Sequence, residues 1–156
     1  MNENVEQWNI SKNAVSSKKG VVASQHWIAS SVGADALSKG GNAIDAAIAC
    51  AHALNVVEPW MCGLGGSGYI LIWLAEKKQI KVIDFQGVLA EKISFDDYPL
   101  DENVPETIMG FPGVKDEQNV LGYKSITIPG AVAGLSLALQ KFGKLGIDTI
   151  LSKTIE

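Results

Sequence analysis

The fold of this chain is decided by residues 40–72, whose sequence is GGNAIDAAIACAHALNVVEPWMCGLGGSGYILI. The segment begins with a glycine pair, continues through an alanine-rich run with helical spacing, and ends in a glycine cluster followed by an apolar strand. The cluster consists of Gly63, Gly65, Gly66 and Gly68. Because glycine loses more conformational freedom on folding than other residues, we expect these positions to need the backbone that glycine permits.

The alanine-rich run predicts a helix with defined ends. Asn42 is a candidate N-cap, and Asp45 lies in the first turn, where negative charge is favourable. We expect the helix to end before Glu58 and Pro59, because proline disfavours a helical residue before it. Alanines on several faces predict a helix that is buried all round, inside a layered fold.

The rest of the pattern predicts short strands and further helices. The runs YILIWLA and IKVIDF, separated by a polar turn, predict a β-hairpin. Its first strand is apolar on both faces and is therefore expected to be central and covered on both sides. An acidic stretch at residues 86–124 shows no clear periodicity. Other predicted elements are strands at 20–23 and 125–128, and helices at 25–39 with Ser24 as N-cap, at 130–141 and from 147 to 156.

Composition narrows the class of protein. A length of 156 residues is typical of one domain, and the formal net charge of -4 gives no electrostatic support for nucleic-acid binding. Cys50 and Cys62 do not make a disulfide framework, and we interpret them as small buried thiols. The polar N-terminus lacks the apolar region of a secretory signal, and no apolar run reaches the roughly 20 residues of a membrane helix. We therefore expect a cytoplasmic protein.

The glycine cluster, GLGGSG, allows two interpretations. It resembles a phosphate-binding loop, but such loops follow a strand and open a helix, whereas this one follows a helix and opens a strand. The favoured interpretation is structural, with the glycines letting a strand begin tightly against neighbouring helices.

No complete catalytic constellation is visible in the sequence. His26 and His52 are interpreted as structural, the first forming a hydrogen bond at a helix start and the second lying in the core. No spacing typical of metal ligands is present. Asp84 closes a predicted strand, where it either anchors the following loop or faces a site, and Glu58 is a candidate cap or brace for the glycine cluster.

Four segments, in this order, resemble the γ-glutamyltransferase family and especially its acylase-like branch: GGNAIDAAIACAHALNVVEP, GLGGSGYILIW, VIDF and SITIPGAVAGLSLALQKFGKL. The resemblance implies a mixed α/β (α+β) class, as part of the N-terminal nucleophile hydrolase fold, an αββα sandwich. Residues 20–156 would form the N-terminal portion of the large subunit, after a polar arm at residues 1–19. Because the last predicted helix has no cap, we expect this chain to be part of a longer polypeptide.

The resemblance also implies a proenzyme that cleaves itself into two subunits and acts through a threonine at the new N-terminus of the small subunit. No threonine here matches that motif, so we expect no catalytic residue in this chain. The implied partners are the remainder of the same proenzyme and a small amide or γ-glutamyl-type substrate, without cofactor, metal, nucleic acid or membrane. The alternative is a non-catalytic binding or structural subunit. The four threonines are Thr107, Thr127, Thr149 and Thr154.

One substrate-binding position is implied within this chain. The γ-glutamyl enzymes carry an arginine shortly after the strand that ends in VIDF, and it holds the substrate α-carboxylate. The matching segment here is DFQGVLA, in which Gln86 or Val88 takes that place, depending on alignment. Gln86 is our candidate substrate-binding residue, which can form a hydrogen bond with an amide or carboxylate, and the loss of charge predicts weak or absent hydrolysis of γ-glutamyl substrates.

Overall fold

A helical layer is built around the alanine-rich helix. The computed structural model describes residues 14–156. Its α-helices are α1 (Trp27–Ser38), α2 (Ala43–Val57), α3 (Ala131–Phe142) and α4 (Ile147–Ile155). The other three helices all contact α2. Small buried residues such as Ala46, Ala49 and Ala53 let the neighbouring backbones approach α2 closely.

Both ends of α2 lie where the sequence predicts them. Asn42 is the N-cap, and its Oδ1 accepts hydrogen bonds from the backbone N–H groups of Ile44 (2.8 Å) and Asp45 (3.2 Å). Asp45 Oδ2 in turn accepts from the Asn42 N–H at 2.7 Å, which completes a capping box. At the other end the helix stops at Val57, with Glu58 as the C-cap.

The predicted hairpin is present. Strand β1 (Gly68–Leu74) pairs antiparallel with β2 (Gln79–Phe85), from Gly68 opposite Phe85 to Leu74 opposite Gln79. Ile72 and Ile83 on one face are buried in the core that the hairpin shares with the helices. The other face is exposed, so the expectation that β1 is covered on both sides is wrong for the described chain. This outer face carries Asp84, opposite Tyr69 at one end, and five large side chains that are mostly apolar: Tyr69, Leu71, Trp73, Ile80 and Val82.

Two predicted strands do not form. Residues 20–23 are irregular, and Val22 packs against the helical core instead of joining a ladder. At residues 125–128, a short 3₁₀ turn (Tyr123–Ser125) is followed by a single antiparallel bridge between Val88 and Ile128. A strand needs a paired neighbour along its whole length. Within residues 14–156, no strand pairs with either segment in this way.

The start of α1 differs from the prediction by two residues. The N-cap is His26 and not Ser24, and His26 Nδ1 accepts a hydrogen bond from the Ile28 N–H at 3.2 Å. The Ser24 hydroxyl lies 2.7 Å from the His26 carbonyl oxygen, to which it donates, and 2.8 Å from the Ser30 hydroxyl. Ser24 therefore braces the turn before the helix. The predicted hydrogen bond of His26 at a helix start is confirmed.

The remaining expectations for the helices hold in part. The helices predicted at residues 130–141 and from residue 147 are present as α3 and α4. Helix α2 is not buried all round, because Ala43, Ala47 and Val56 are exposed. No helix within residues 14–156 combines the length and apolarity needed to cross a membrane. Of the predicted polar arm, residues 14–19 are exposed, and residues 1–13 lie outside the described part.

Candidate functional site

The register of the hairpin brings Gln86 to a defined position. Ser67 directly precedes β1 and Gln86 directly follows β2, so the pairing of Gly68 with Phe85 places them opposite each other. The Ser67 hydroxyl donates a hydrogen bond to Gln86 Oε1 at 3.2 Å. The Gln86 backbone N–H donates to Asp84 Oδ1 at 3.0 Å, which confirms that Asp84 anchors the following loop. We call Ser67, Asp84 and Gln86 the Gln86 corner.

The Gln86 corner is open to solvent. All three of its residues are exposed. A glutamine amide has one acceptor oxygen and two N–H donors, and the contact with Ser67 uses only part of that capacity. The corner can therefore recognise a hydrogen-bonding group of a ligand, and it does so without a charge from Gln86.

The glycine cluster joins this corner to the first turn of α3. The Gly66 carbonyl oxygen accepts hydrogen bonds from the backbone N–H groups of Gly130 (3.2 Å) and Ala131 (3.0 Å). These donors at the helix start are occupied, which supports the structural interpretation of the cluster over a phosphate site. A Cβ atom at Gly66 would lie 3.0 Å from the Gly63 carbonyl oxygen, and one at Gly68 3.2 Å from Phe85 Cε2.

Only two of the four clustered glycines are explained by close packing. A Cβ atom at Gly65 would meet nothing within 4 Å, and one at Gly63 would be in no tight contact. None of the four has a left-handed φ angle. The expectation that all four positions need a backbone conformation specific to glycine is therefore wrong. Glycine is needed at Gly66 and Gly68 because neighbouring atoms leave little room for a Cβ atom there.

An open cavity of about 470 Å³ lies beside the glycine cluster, between α2 and α3. Ser67 lines it, but Gln86 does not. Cys62, a half-buried free thiol, is part of its wall. The lining is mostly apolar: Ala51, Leu54, Asn55, Met61, Cys62, Gly63, Gly66, Ser67, Gly68, Tyr69, Phe85, Ala131 and Leu135.

The electrostatics of the corner do not favour a carboxylate. The sequence has 13 lysines and no arginine, so this chain contains no guanidinium group. The charged neighbour that contacts Gln86 is the Asp84 carboxylate. The ion pairs found within residues 14–156 lie elsewhere, at Asp35–Lys39, Asp97–Lys124 and Lys153–Glu156. A bidentate carboxylate clamp of the arginine type cannot come from this chain.

The other residues singled out from the sequence serve the helical layer. Burial raises the pKa of the Cys50 thiol, which keeps it in its unreactive protonated form. His52 is half-buried on α2 instead of lying in the core, and burial lowers its pKa. Glu58 is 8% exposed, and its carbonyl oxygen braces the glycine cluster by accepting from the N–H groups of Met61 and Cys62, each at 3.0 Å.

Ser67 is the site residue that sequence reasoning missed. The hairpin pattern could have identified it. When two strands of equal length flank a turn, the residue before the first strand lies opposite the residue after the second. The sequence alone does not reveal that their side chains are hydrogen-bonded. Within the described residues, no group of three or more His, Cys, Asp or Glu side chains is placed to hold a metal ion.

Comparison with known sequences identifies a family. The family model described as gamma-glutamyltranspeptidase matches residues 29–156. The glutathione hydrolase proenzyme of Bacillus subtilis subsp. natto is 37% identical over 139 residues, which cover 89% of this chain and 22% of that protein. The acylase ACY 1 proenzyme of Pseudomonas sp. (strain SE83) is 38% identical over 144 residues, which cover 92% of this chain and 25% of that protein. The chain therefore spans about a quarter or less of the length of these relatives.

Solved structures give the same result for the fold. The γ-glutamyltranspeptidase of Helicobacter pylori superposes with a TM-score of 0.75 at 31% identity, covering 92% of this chain and 38% of that one. The cephalosporin acylase of Bacillus halodurans superposes with a TM-score of 0.76 at 27% identity, covering 97% and 26%. The helices and the antiparallel hairpin are thus part of an N-terminal nucleophile hydrolase fold, as the resemblance implies. The chain belongs to the γ-glutamyltranspeptidase family.

Proposed function

We propose that this chain is the first part of a self-processing amide hydrolase or acyl transferase. The observation that carries the proposal is its similarity, over about 90% of its length, to both a glutathione hydrolase proenzyme and an acylase proenzyme. The nucleophile would be an N-terminal threonine outside residues 1–156, activated by its own α-amine. Backbone N–H groups, also outside this chain, would stabilise the oxyanion that forms on the attacked carbonyl.

The outer face of the hairpin supports the remainder of the same polypeptide as the partner. Tyr69, Leu71 and Trp73 are 56%, 72% and 60% exposed, and Ile80 and Val82 beside them are 64% and 58% exposed. Five apolar side chains on one sheet face form a patch that a soluble chain buries. In a sandwich this face packs on the second sheet, about 10 Å away. Residues 20–156 would then be the N-terminal portion of the large subunit, with residues 1–19 as a polar arm.

Gln86 is the residue of this chain that we propose contacts the acyl donor. It is exposed, its amide is oriented by Ser67, and its backbone is held by Asp84. A neutral amide beside a carboxylate favours a neutral hydrogen-bonding group over an anionic one. The substrate class would therefore be amides whose acyl chain carries an uncharged group where a γ-glutamyl donor carries its α-carboxylate.

Hydrolysis of two chromogenic amides by the whole polypeptide tests this proposal. γ-Glutamyl-p-nitroanilide and its α-carboxamide analogue have the same scissile bond, chain length and α-amino group, and the second carries a neutral carboxamide in place of the α-carboxylate. We expect release of p-nitroaniline from the carboxamide compound with kcat/KM at least equal to that of the γ-glutamyl compound. Efficient turnover of the γ-glutamyl compound alone would contradict the proposed role of Gln86.

A second candidate function is a non-catalytic subunit that keeps the fold for binding or assembly. The absence of any arginine in the chain favours it, because the charged contact expected for a γ-glutamyl substrate is missing. Hydrolysis of neither anilide by a correctly folded whole polypeptide would support this candidate and exclude the first.

A further inference from the structure

We propose that Phe85 is a positioning residue for Gln86, and that Gly68, Gly130 and Gly134 form the slot that holds its side chain. The inference rests on the proposed function, since it takes Gln86 as a contact of the acyl donor. Phe85 is the last residue of β2 and packs on the core, whereas Gln86, the next residue, is exposed. The boundary between buried scaffold and open corner therefore falls between these two residues.

The slot leaves no room for a side chain on any of its three walls. A Cβ atom at Gly134 would lie 2.6 Å from Phe85 Cβ and closer still to the ring. A Cβ atom at Gly130 would lie 2.9 Å from the Phe85 carbonyl carbon, and one at Gly68 would lie 3.2 Å and 3.3 Å from Cε2 and Cζ. Carbon atoms at non-bonded contact normally stay about 3.5–4.0 Å apart. The ring and the backbone of Phe85 are thus held between α3 and the start of β1, while the residue stays half-buried beside the open cavity.

Gly134 is the most informative of the three. It is buried in the interior of α3, where glycine costs about 1 kcal/mol relative to alanine. The absence of a Cβ atom there lets the end of β2 approach the axis of α3 more closely than any other residue allows. This approach sets the position at which the chain leaves β2.

Phe85 lies at the start of a segment that is also held beyond Gln86. The Val88 N–H donates to the Ile128 carbonyl oxygen at 3.4 Å, and the Ile128 N–H donates to the Val88 carbonyl oxygen at 2.8 Å. A Cβ atom at Gly87 would lie 2.9 Å from Thr127 Cβ, so the chain is also closely packed there. Gln86 therefore lies between Phe85, which is held in the slot, and residues 87–88, which pack against residues 127–128. A displacement of Phe85 would displace Gln86 as well.

Steady-state kinetics of Gly134→Ala in the whole polypeptide test this role, with Gly65→Ala as the matched control. The added methyl group at residue 134 displaces Phe85, whereas one at residue 65 meets nothing. With the carboxamide compound, we expect Gly134→Ala to raise KM about tenfold and to change kcat less than about threefold, since ground-state positioning is lost. The control is expected to match the wild type. A lowered melting temperature of Gly134→Ala with unchanged KM would show that the slot is only structural and would overturn the proposal.

A double-mutant cycle tests whether Phe85 acts through Gln86. In a Gln86→Ala background, Phe85→Leu is expected to raise KM no further, although it does so in the wild type. Equal effects of Phe85→Leu in both backgrounds would overturn the proposal.

Hydrogen exchange at the Gln86 N–H gives a readout that needs no activity. We expect Gly134→Ala to speed this exchange about tenfold more than exchange at the core amide of Ile83, and Gly65→Ala to leave both unchanged. Unchanged exchange in Gly134→Ala would overturn the positioning role. A wild type that hydrolyses neither anilide would refute the proposed function, and the exchange rates would still decide the positioning role.

Discussion

The N-cap of α2 and the Gln86 corner are both polar ends of secondary-structure elements, but they differ in burial. Asp45 is 0% exposed, and its carboxylate accepts backbone hydrogen bonds from Asn42 at 2.7 Å and from Lys144 and Leu145 at 3.0 Å. Gln86 is exposed, and its contacts are with its own hairpin. The first group holds distant parts of the chain together, whereas the second is held in place and remains accessible.

The difference separates a structural polar group from a functional candidate. Asn42 Nδ2 also donates to the Phe142 carbonyl oxygen at 2.7 Å, so the cap fastens α2 to the connection between α3 and α4. A buried carboxylate with its acceptor sites filled by the protein has no capacity left for a ligand. Gln86 has that capacity. Substitutions in the cap should therefore lower stability, whereas substitutions in the corner should change substrate binding.

The largest expected effect is that of Asp45→Ala on stability. The substitution leaves the part-buried N–H groups of Lys144 and Leu145 without their charged acceptor, and we expect the free energy of unfolding to fall by about 3 kcal/mol. Urea unfolding of the whole polypeptide measures it. Asp35→Ala, which removes only the exposed ion pair with Lys39, is the control and should cost about 0.5 kcal/mol or less. A loss below about 1 kcal/mol for Asp45→Ala would mean that the cap is not a structural tie.

Gln86→Arg is expected to change specificity and not stability. A guanidinium group at this exposed position can form a bidentate pair with an α-carboxylate. We expect kcat/KM for γ-glutamyl-p-nitroanilide, relative to that for the carboxamide compound, to rise about tenfold or more. Gln86→Lys supplies the charge without the planar fork and should give a smaller rise. An unchanged ratio for Gln86→Arg would show that residue 86 does not face the acyl donor.

Ser67→Ala should have a smaller effect on the same corner. It removes the 3.2 Å hydrogen bond that orients the Gln86 amide, and both groups are exposed. We expect KM for the carboxamide compound to rise about threefold and the free energy of unfolding to change by less than about 0.5 kcal/mol. A larger loss of stability than of substrate binding would place Ser67 with the structural groups.

His52 is intermediate between the two regions, and its effect depends on pH. Burial lowers its pKa below the ordinary value of 6.5, so the folded state binds a proton less readily than the unfolded chain. Its neutral form is favoured above pH 6.5, and the folded state loses stability as the pH falls through 6.5 towards the lower folded-state pKa. The urea midpoint of the wild type should therefore fall, relative to that of His52→Gln, as the solution is acidified. Parallel curves would contradict this.

The sequence predicts local elements better than contacts across the fold. The α2 cap, its end before Pro59 and the hairpin follow from capping chemistry, proline sterics and alternation, all of which act within a few residues. Residues 20–23 and 125–128 have strand-like composition, but a strand is decided by a partner that local sequence does not contain. The N-cap at His26 was missed because Ser24 is the commoner capping residue.

The candidate site was predictable only in part. Gln86 follows from the resemblance, and its contact with Asp84 is local. The glycine slot around Phe85 joins residues 68, 85, 130 and 134, and no periodic pattern connects them. The exposure of β1 on one face was also missed, because an apolar strand has the same composition whether its second cover lies in the same segment or elsewhere.

The most direct test of the account is the N-terminal sequence of the fragments formed by the whole polypeptide. We expect spontaneous cleavage into two chains on a denaturing gel, the larger containing residues 20–156 and the smaller beginning with threonine. Replacement of that threonine by alanine should leave the polypeptide uncleaved. A stable single chain, or a small fragment that begins with a residue lacking a hydroxyl or thiol group, would contradict the proposal of a self-processing amide hydrolase or acyl transferase.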